Sequence, residues 1–243
     1  MISVPLSGSV PLSHTITYSI SPLFELAASL HLLTRSPASS RQASWAEEMR
    51  SGFREERIWT EWEYFSPLFR SGVPDFLSPL QTKGVTSIED QYDYFVRLSP
   101  LTVLHSLGSL RDGSNSSDSA EPIFQDAKED ADFVKGRFSL FLSSYWQLFF
   151  ETIWETIAPR FVQEAERITL ALYSPEELVA CLKTITPGFF MTEEETQQTL
   201  VFDDGSPEQM TVRQFTLYPS YFSEGISIQA NERALHLIYP LNK

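Results

Sequence analysis

Cysteine is almost absent. Cys181 is the only one in 243 residues, so no disulfide can form within the chain and no thiolate metal site can be built from it. Histidine is scarce as well. The four histidines stand at positions 14, 31, 105 and 236, never near one another. The short Cys/His/Asp spacings of a metal site are therefore missing, and no metal or other cofactor is expected. There is no glycine-rich phosphate loop and no G-x-S-x-G nucleophile elbow; Gly8-Ser9 and Gly108-Ser109 stand alone. Positive charge is in deficit, with a formal net charge of -14. Residues 1–111 carry 9 Lys+Arg against 11 Asp+Glu, whereas residues 112–243 carry 9 against 21. An acidic surface of this kind repels phosphate backbones, so this chain is not expected to bind nucleic acid directly. No apolar run reaches the length of a membrane span. The N-terminus, MISVPLSGSVPLSH, has neither the basic n-region nor the continuous apolar core of a signal peptide. The expectation is a cytoplasmic protein with no membrane association.

What the sequence has in quantity is aromatic residues: 18 Phe, 9 Tyr and 5 Trp. Their densest stretch is FSLFLSSYWQLFFETIWETIAPRFV, Phe138 to Val162, whose first thirteen residues carry no charge. Phe138, Leu142, Tyr145, Phe149, Ile153 and Ile157 recur at spacings of three or four, which is one face of a helix. Phe141, Trp146, Phe150 and Trp154 add a second apolar face. A helix apolar on two faces must be covered by neighbours. The spacing predicts a central core helix over Ala131 to Ala158, with Pro159 kinking or restarting it.

Punctuation along the rest of the chain sets the other elements. Thr15 to Ile20 reads as a short strand. Ser21-Pro22 opens a helix through Leu33, Ser44 and Glu47 form a capping box, and Ser66-Pro67 ends or kinks the helical stretch Glu55 to Phe69. Ser87 caps a further helix, and Leu101 to Leu110 is a short one after Ser99-Pro100. The run DGSNSSDSAEP, 112–122, reads as a mobile surface loop. Ser174-Pro175-Glu176-Glu177 is another capping box. Past Glu195 short runs of β-formers alternate with turn signals at Asp203-Asp204-Gly205 and Asn231-Glu232. The fold class is mainly α (α+β). A multi-helix domain, with its loop, covers residues 1–195, and a small C-terminal antiparallel β-sheet covers 196–243.

SPLFELAASLHLL (Ser21 to Leu33), a short loop, then WAEEM (Trp45 to Met49) resembles the opening of a group of bacterial regulators. These are long ArsR-type (arsenical-resistance-repressor-like) transcriptional regulators with an N-terminal domain of unknown function. In that family an SP-x-x-E-x-x-x-SLHVL helix precedes a tryptophan-bearing helix. A pair of bulky aromatic helices follows, then strands ending in an apolar YP segment, then a winged helix-turn-helix. Here YWQLFFETIWETIAPRF (Tyr145 to Phe161), FTLYPSYFSEG (Phe215 to Gly225) and ALHLIYP (Ala234 to Pro240) are similar to the later parts. The winged helix does not appear before Lys243. The resemblance implies the regulatory part of such a regulator, serving effector binding, homodimerisation or both, with DNA reading assigned to a module outside this sequence. The expectation is either a fragment of a longer regulator or a relative without its reading head.

The candidate ligand-binding residues lie on the aromatic helix. Trp146, Phe150 and Trp154 are spaced by four and are expected to line a cavity for an apolar small-molecule effector, with Tyr145 or Glu151 as a polar anchor at its rim. Trp45, Trp59 and Trp62 are expected to cover them. The bland alternative is core packing for the rings and a solvent edge for Glu151 and Glu155. His31, between leucines, reads as a histidine satisfied by one hydrogen bond, and Glu193-Glu194-Glu195 as a solvated face. No catalytic residue is assigned and the chain is not read as an enzyme. Two rival readings are a free-standing interaction scaffold without a ligand and a hydrolase built on Glu151 and Glu155.

Overall fold

The computed structural model describes residues 1–6, 10–36, 40–81, 84–103, 121–194, 197–203 and 205–241. The chain divides into two compact units. The helical unit comprises residues 21–81 and 87–156; the sheet unit comprises residues 1–20, 82–86 and 157–243.

In the helical unit α1 (Pro22–Thr34) begins where the Ser-Pro pair places it. Ser21 Oγ accepts from Phe24 N at 3.1 Å, and Pro22 fills the first position, where no N–H is needed. Ser21 Oγ also donates to the buried Gln91 Oε1 at 3.0 Å, and the same oxygen accepts from Leu23 N at 2.8 Å. α2 (Ser40–Glu55) starts a turn earlier than the Ser44–Glu47 box. Arg41, Gln42 and Ala43 are good helix formers and carry the helix N-terminal of that box, leaving Ser44 exposed on its side. α2 ends with Arg57 in the left-handed region at φ 62° and Ile58 N bonded back to Phe53 O at 3.0 Å, the usual way to satisfy the last carbonyls.

α3 (Trp59–Phe65) runs into a 3-10 turn over Ser66–Phe69, in which Ser66 keeps helical dihedrals and Pro67 stands in the first turn, where its missing N–H costs little. α4 (Ile88–Arg97) is capped by Ser87, whose Oγ accepts from Asp90 N at 3.1 Å. Its C-terminal end meets a buried cation: Lys135 Nζ donates to the carbonyls of Val96 and Leu98, a favourable partner for that end of the helix dipole. Of the helix expected over Leu101 to Leu110, residues 101–103 are helical and the rest lies outside the described residues. The expected mobile loop 112–122 also lies outside them up to residue 120, and residues 121–122 already open α5 (Glu121–Glu129).

The aromatic helix departs from expectation in two respects. α6 (Ala131–Tyr145) leads into a π-helical turn, Trp146–Phe150, and then α7 (Glu151–Ala171). α7 continues as helix through Pro159, which does not restart it. The proline deprives only the carbonyl of Glu155 of its partner, and Glu155 is exposed to water. The border between the two units falls within α7, between Thr156 and Ile157. The core of the helical unit is a set of rings centred on Phe138. Its ring lies 4.9 Å from Phe65, 6.0 Å from Phe76 and 5.9 Å from Phe95, edge-on or tilted, the arrangement ring quadrupoles favour.

The sheet unit holds β1 (Ile2–Leu6), β2 (Ile16–Ile20), β3 (Gly84–Val85), α8 (Pro175–Ile185), β4 (Phe189–Glu194), β5 (Gln197–Phe202), β6 (Met210–Thr211), β7 (Gln214–Ser220), β8 (Ser227–Ala230) and β9 (Ala234–Pro240). Two sheets form, in the orders β4-β5-β1-β6 and β3-β2-β7-β9-β8. The protein is α+β, but its strands are neither confined to residues 196–243 nor all antiparallel. β1 and β2 come from the N-terminus, and the pairs β1–β6, β2–β3, β2–β7 and β7–β9 are parallel.

Pro5 conceals β1 in the sequence, yet it fits. Ser3 O accepts from Val212 N, so the odd residues of β1 turn their polar groups toward β6. β6 pairs only with Ile2 and Ser3, so Pro5 faces no ladder partner there and its missing N–H costs nothing. Ile2, Val4 and Leu6 point inward with a period of two. They join Phe189, Phe202 and Phe215 in a core closed by Ile168 of α7 and Leu178 and Leu182 of α8. α8 starts at the expected cap, with Ser174 Oγ accepting from Glu177 N at 3.1 Å.

Candidate functional site

The helical unit contains a cavity of about 380 Å³ beside the π turn, a size typical of small-molecule sites. Leu23 and Leu26 of α1 and Leu142 of α6 supply apolar wall. Ile88, Glu89 and Tyr92 come from α4, Trp146 and Gln147 from the π turn, and Glu151 from the first residue of α7. Glu89 and Glu151 are exposed. Tyr92 donates to Ser139 O at 2.7 Å, and burial pushes its phenol above the ordinary range, so it is a neutral wall group at any physiological pH.

The wide turn determines what faces this cavity. Glu151 N bonds to Trp146 O, five residues back, and Trp146 N reaches both Leu142 O and Ser143 O. One extra residue in the turn rotates Trp146 relative to Phe150, which an unbroken α-helix would stack on one side. Trp146 is half-buried and lines the cavity together with Glu151. Phe150 is fully buried, its ring 5.9 Å from Tyr145 and 5.6 Å from Trp146. Trp154 is half-buried and is not part of the cavity wall. Tyr145 is not at a rim: it is fully buried, and its hydroxyl shares a 2.9 Å hydrogen bond with Ser29. Burial holds its phenol well above its ordinary pKa. The structure thus brings two of the five candidates to the cavity, Trp146 and Glu151, and leaves the other three outside its wall.

Two of the three tryptophans expected as aromatic cover pack elsewhere. Trp62 packs on Phe53 at 5.6 Å, and Trp59 lies under the Arg54 guanidinium at 4.2 Å. His31 donates from Nδ1 to Phe69 O, the single satisfying bond read for it. Glu155 is exposed. Among the described residues no group of three or more His, Cys, Asp and Glu is placed to hold a metal ion, and no helix is long and apolar enough to cross a membrane.

The sheet unit carries a polar cluster that sequence reasoning missed. Glu164 and Arg167 are paired through two bonds, Nε to Oε2 at 2.8 Å and Nη2 to Oε1 at 2.6 Å. Tyr239 donates its hydroxyl to Glu164 Oε1. Arg167 Nη1 reaches Cys181 Sγ at 2.9 Å and Thr184 Oγ1 at 3.1 Å. Burial first, then the Glu164 charge, raises the Tyr239 phenol well above its usual value, which keeps it a donor. Burial likewise raises the Cys181 thiol against the opposing pull of Arg167. The one signal in the sequence was the i, i+3 spacing of Glu164 and Arg167 on a helix face; that Cys181 and Tyr239 join them depends on tertiary placement.

The chain matches no protein-family model, no curated protein and no solved structure.

Proposed function

We propose that this chain is the regulatory part of an ArsR-type transcriptional regulator of the cytoplasm, and that its helical unit binds a small apolar effector beside the π turn. The observation that carries the ligand reading is the wide turn itself. A π turn gives up regular helix geometry and occurs mostly where function holds it. This one forms a wall of the cavity and presents Trp146 and Gln147 to it. The apolar floor and the two exposed carboxylates, Glu89 and Glu151, suit a flat molecule with a donating or cationic group. The regulatory part of the reading rests on the resemblance from Ser21 to Pro240. In this reading the chain acts as a homodimer and leaves DNA to a winged helix outside this sequence.

The test uses protein labelled with 5-fluorotryptophan and a panel of flat aromatic amines. Binders should move the Trp146 fluorine signal, assigned with Trp146→Phe, and leave the Trp154 signal in place. Deleting Leu148 should return the π turn to α-helix and abolish that shift. Unchanged binding in the deletion variant, or a panel that never moves the Trp146 signal, would sink the ligand reading. One observation favours the scaffold alternative: Phe133 and Leu140, two turns apart on α6, are 61% and 70% exposed, and a continuous exposed apolar stripe would mark a contact surface. Native mass spectrometry showing a monomer would count against the homodimer, and a monomer with bound ligand against the scaffold.

A further inference from the structure

We propose that the sheet unit holds a second, separate binding site, for a small organic monocarboxylate, in which Arg160 is the counter-ion. The site is a cleft of about 550 Å³ lined by α7, the end of α8 and the end of β9. α7 contributes Arg160, Gln163, Glu164 and Arg167 to it. These stand at i, i+3, i+4 and i+7, so a single helix face supplies them.

The hydrogen-bond inventory of the wall shows which groups are committed. Arg167 spends Nε and Nη2 on Glu164, and Nη1 on Cys181 and Thr184. Both Glu164 oxygens are taken by Arg167, and Oε1 also accepts from Tyr239. The Glu164 and Arg167 charges cancel, and their geometry is locked. Arg160 is different. Its guanidinium lies over the Tyr221 ring at 5.4 Å, and among the described residues it makes no ion pair. Gln163, one turn on, has an exposed amide with no protein partner among the described residues.

Among the described residues no carboxylate other than Glu164 lines the cavity. Its described wall therefore carries one positive charge without a partner carboxylate, in a protein whose net charge is -14. One charge matches a monoanion. A planar guanidinium offers two parallel N–H donors, which fit the two oxygens of a carboxylate. Ile185, Pro240 and Leu241 form the apolar part of the wall, where the body of such a ligand would lie. The Tyr221 face behind Arg160 limits how far the guanidinium can swing away from the ligand.

The probes are acetate, benzoate and 3-phenylpropionate, each set against its own neutral amide, followed by amide NMR of the full chain. At least one carboxylate should bind saturably, shifting the signals of Arg160, Gln163 and Thr184, with its amide weaker by about tenfold or more, the range of a charge-assisted bond. Arg160→Gln should weaken that carboxylate by a similar factor, and Arg160→Lys should restore part of the loss. Arg160 is exposed, so neither variant should change the far-ultraviolet circular dichroism, which verifies the fold. Acids and amides bound alike, carboxylate binding unaffected by Arg160→Gln, or no saturable shift with any of the three probes would each overturn the proposal. None of these results bears on the Trp146 site, which is read by fluorine signals in the other unit.

Discussion

The two units bury their interiors with different materials. All five tryptophans belong to the helical unit, and so do Phe138 and the rings stacked around it. The sheet unit has no tryptophan, and its core is largely aliphatic, with Phe189, Phe202 and Phe215 among the leucines and isoleucines. Their polar interiors differ as well. In the helical unit the buried polar side chains are dispersed: Ser29 with Tyr145, Ser21 with Gln91, Glu25 on α1, and Lys135 on the carbonyls of Val96 and Leu98. In the sheet unit the polar hub is charged, Glu164 with Arg167. A helix bundle can fill its volume with large rings because each helix contributes a broad stripe. The sheet unit fills its core mainly with branched aliphatics, and its charged hub is partly open to water on the Arg167 side.

The largest expected effect tests the ring core. Phe138→Ala removes the ring at its centre and should cost about 3–5 kcal/mol, read as a lower urea midpoint by tryptophan fluorescence. A loss under about 1 kcal/mol would mean the rings around it can collapse into the gap. Next comes the charged hub. Glu164→Gln leaves Arg167 without its counter-charge, and the cost should be about 2 kcal/mol, between exposed and buried pairs. That middle value follows from side-chain exposures of 11% for Glu164 and 37% for Arg167. An unchanged midpoint by circular dichroism would show the hub to be only a surface ion pair.

Third, the two helix caps should separate the units. Ser174→Ala removes an exposed cap bond and should cost about 1 kcal/mol. Ser21→Ala also strips a donor from the buried Gln91 and should cost about 2 kcal/mol. Equal losses would mean Gln91 finds another partner. The smallest effect concerns His236, whose pKa burial lowers below the usual 6.5. Its neutral form is favoured in the folded state, so the unfolded chain binds the proton more readily. The stability it confers is present above pH 6.5 and is lost as pH falls through the depressed folded value. Melting temperatures of the wild type and His236→Gln should therefore converge toward acid; divergence there would reverse the sign.

How much of this was legible follows from the range of the interactions. The helices at Ser21, Ser87 and Ser174 announce themselves within four residues, because a cap is a local bond. The ring stripes of α6 were legible for the same reason. β1 was not, since Ile2 pairs with Phe202, and nothing near Ile2 in sequence encodes that partner. β4 was hidden in the same way, beside a run of glutamates. The turn at Trp146–Phe150 was illegible because its composition is that of an ordinary apolar helix. An even spacing of four therefore placed Trp146, Phe150 and Trp154 on one wall, and the structure splits them. The Glu164–Arg167–Cys181–Tyr239 cluster joins residues up to 75 apart, and no local pattern marks it.

The wide turn also has a consequence for comparing this chain with others. A π turn is an insertion of one residue that the helix absorbs locally, so the phase of the apolar pattern changes once between Tyr145 and Glu151 and is regular on either side. A relative lacking the turn should align to this helix with a single-residue gap inside it. Gaps are ordinarily placed in loops. An alignment that forbids one here would put every ring from Glu151 onward out of step with its true counterpart, and two related helices would look unrelated.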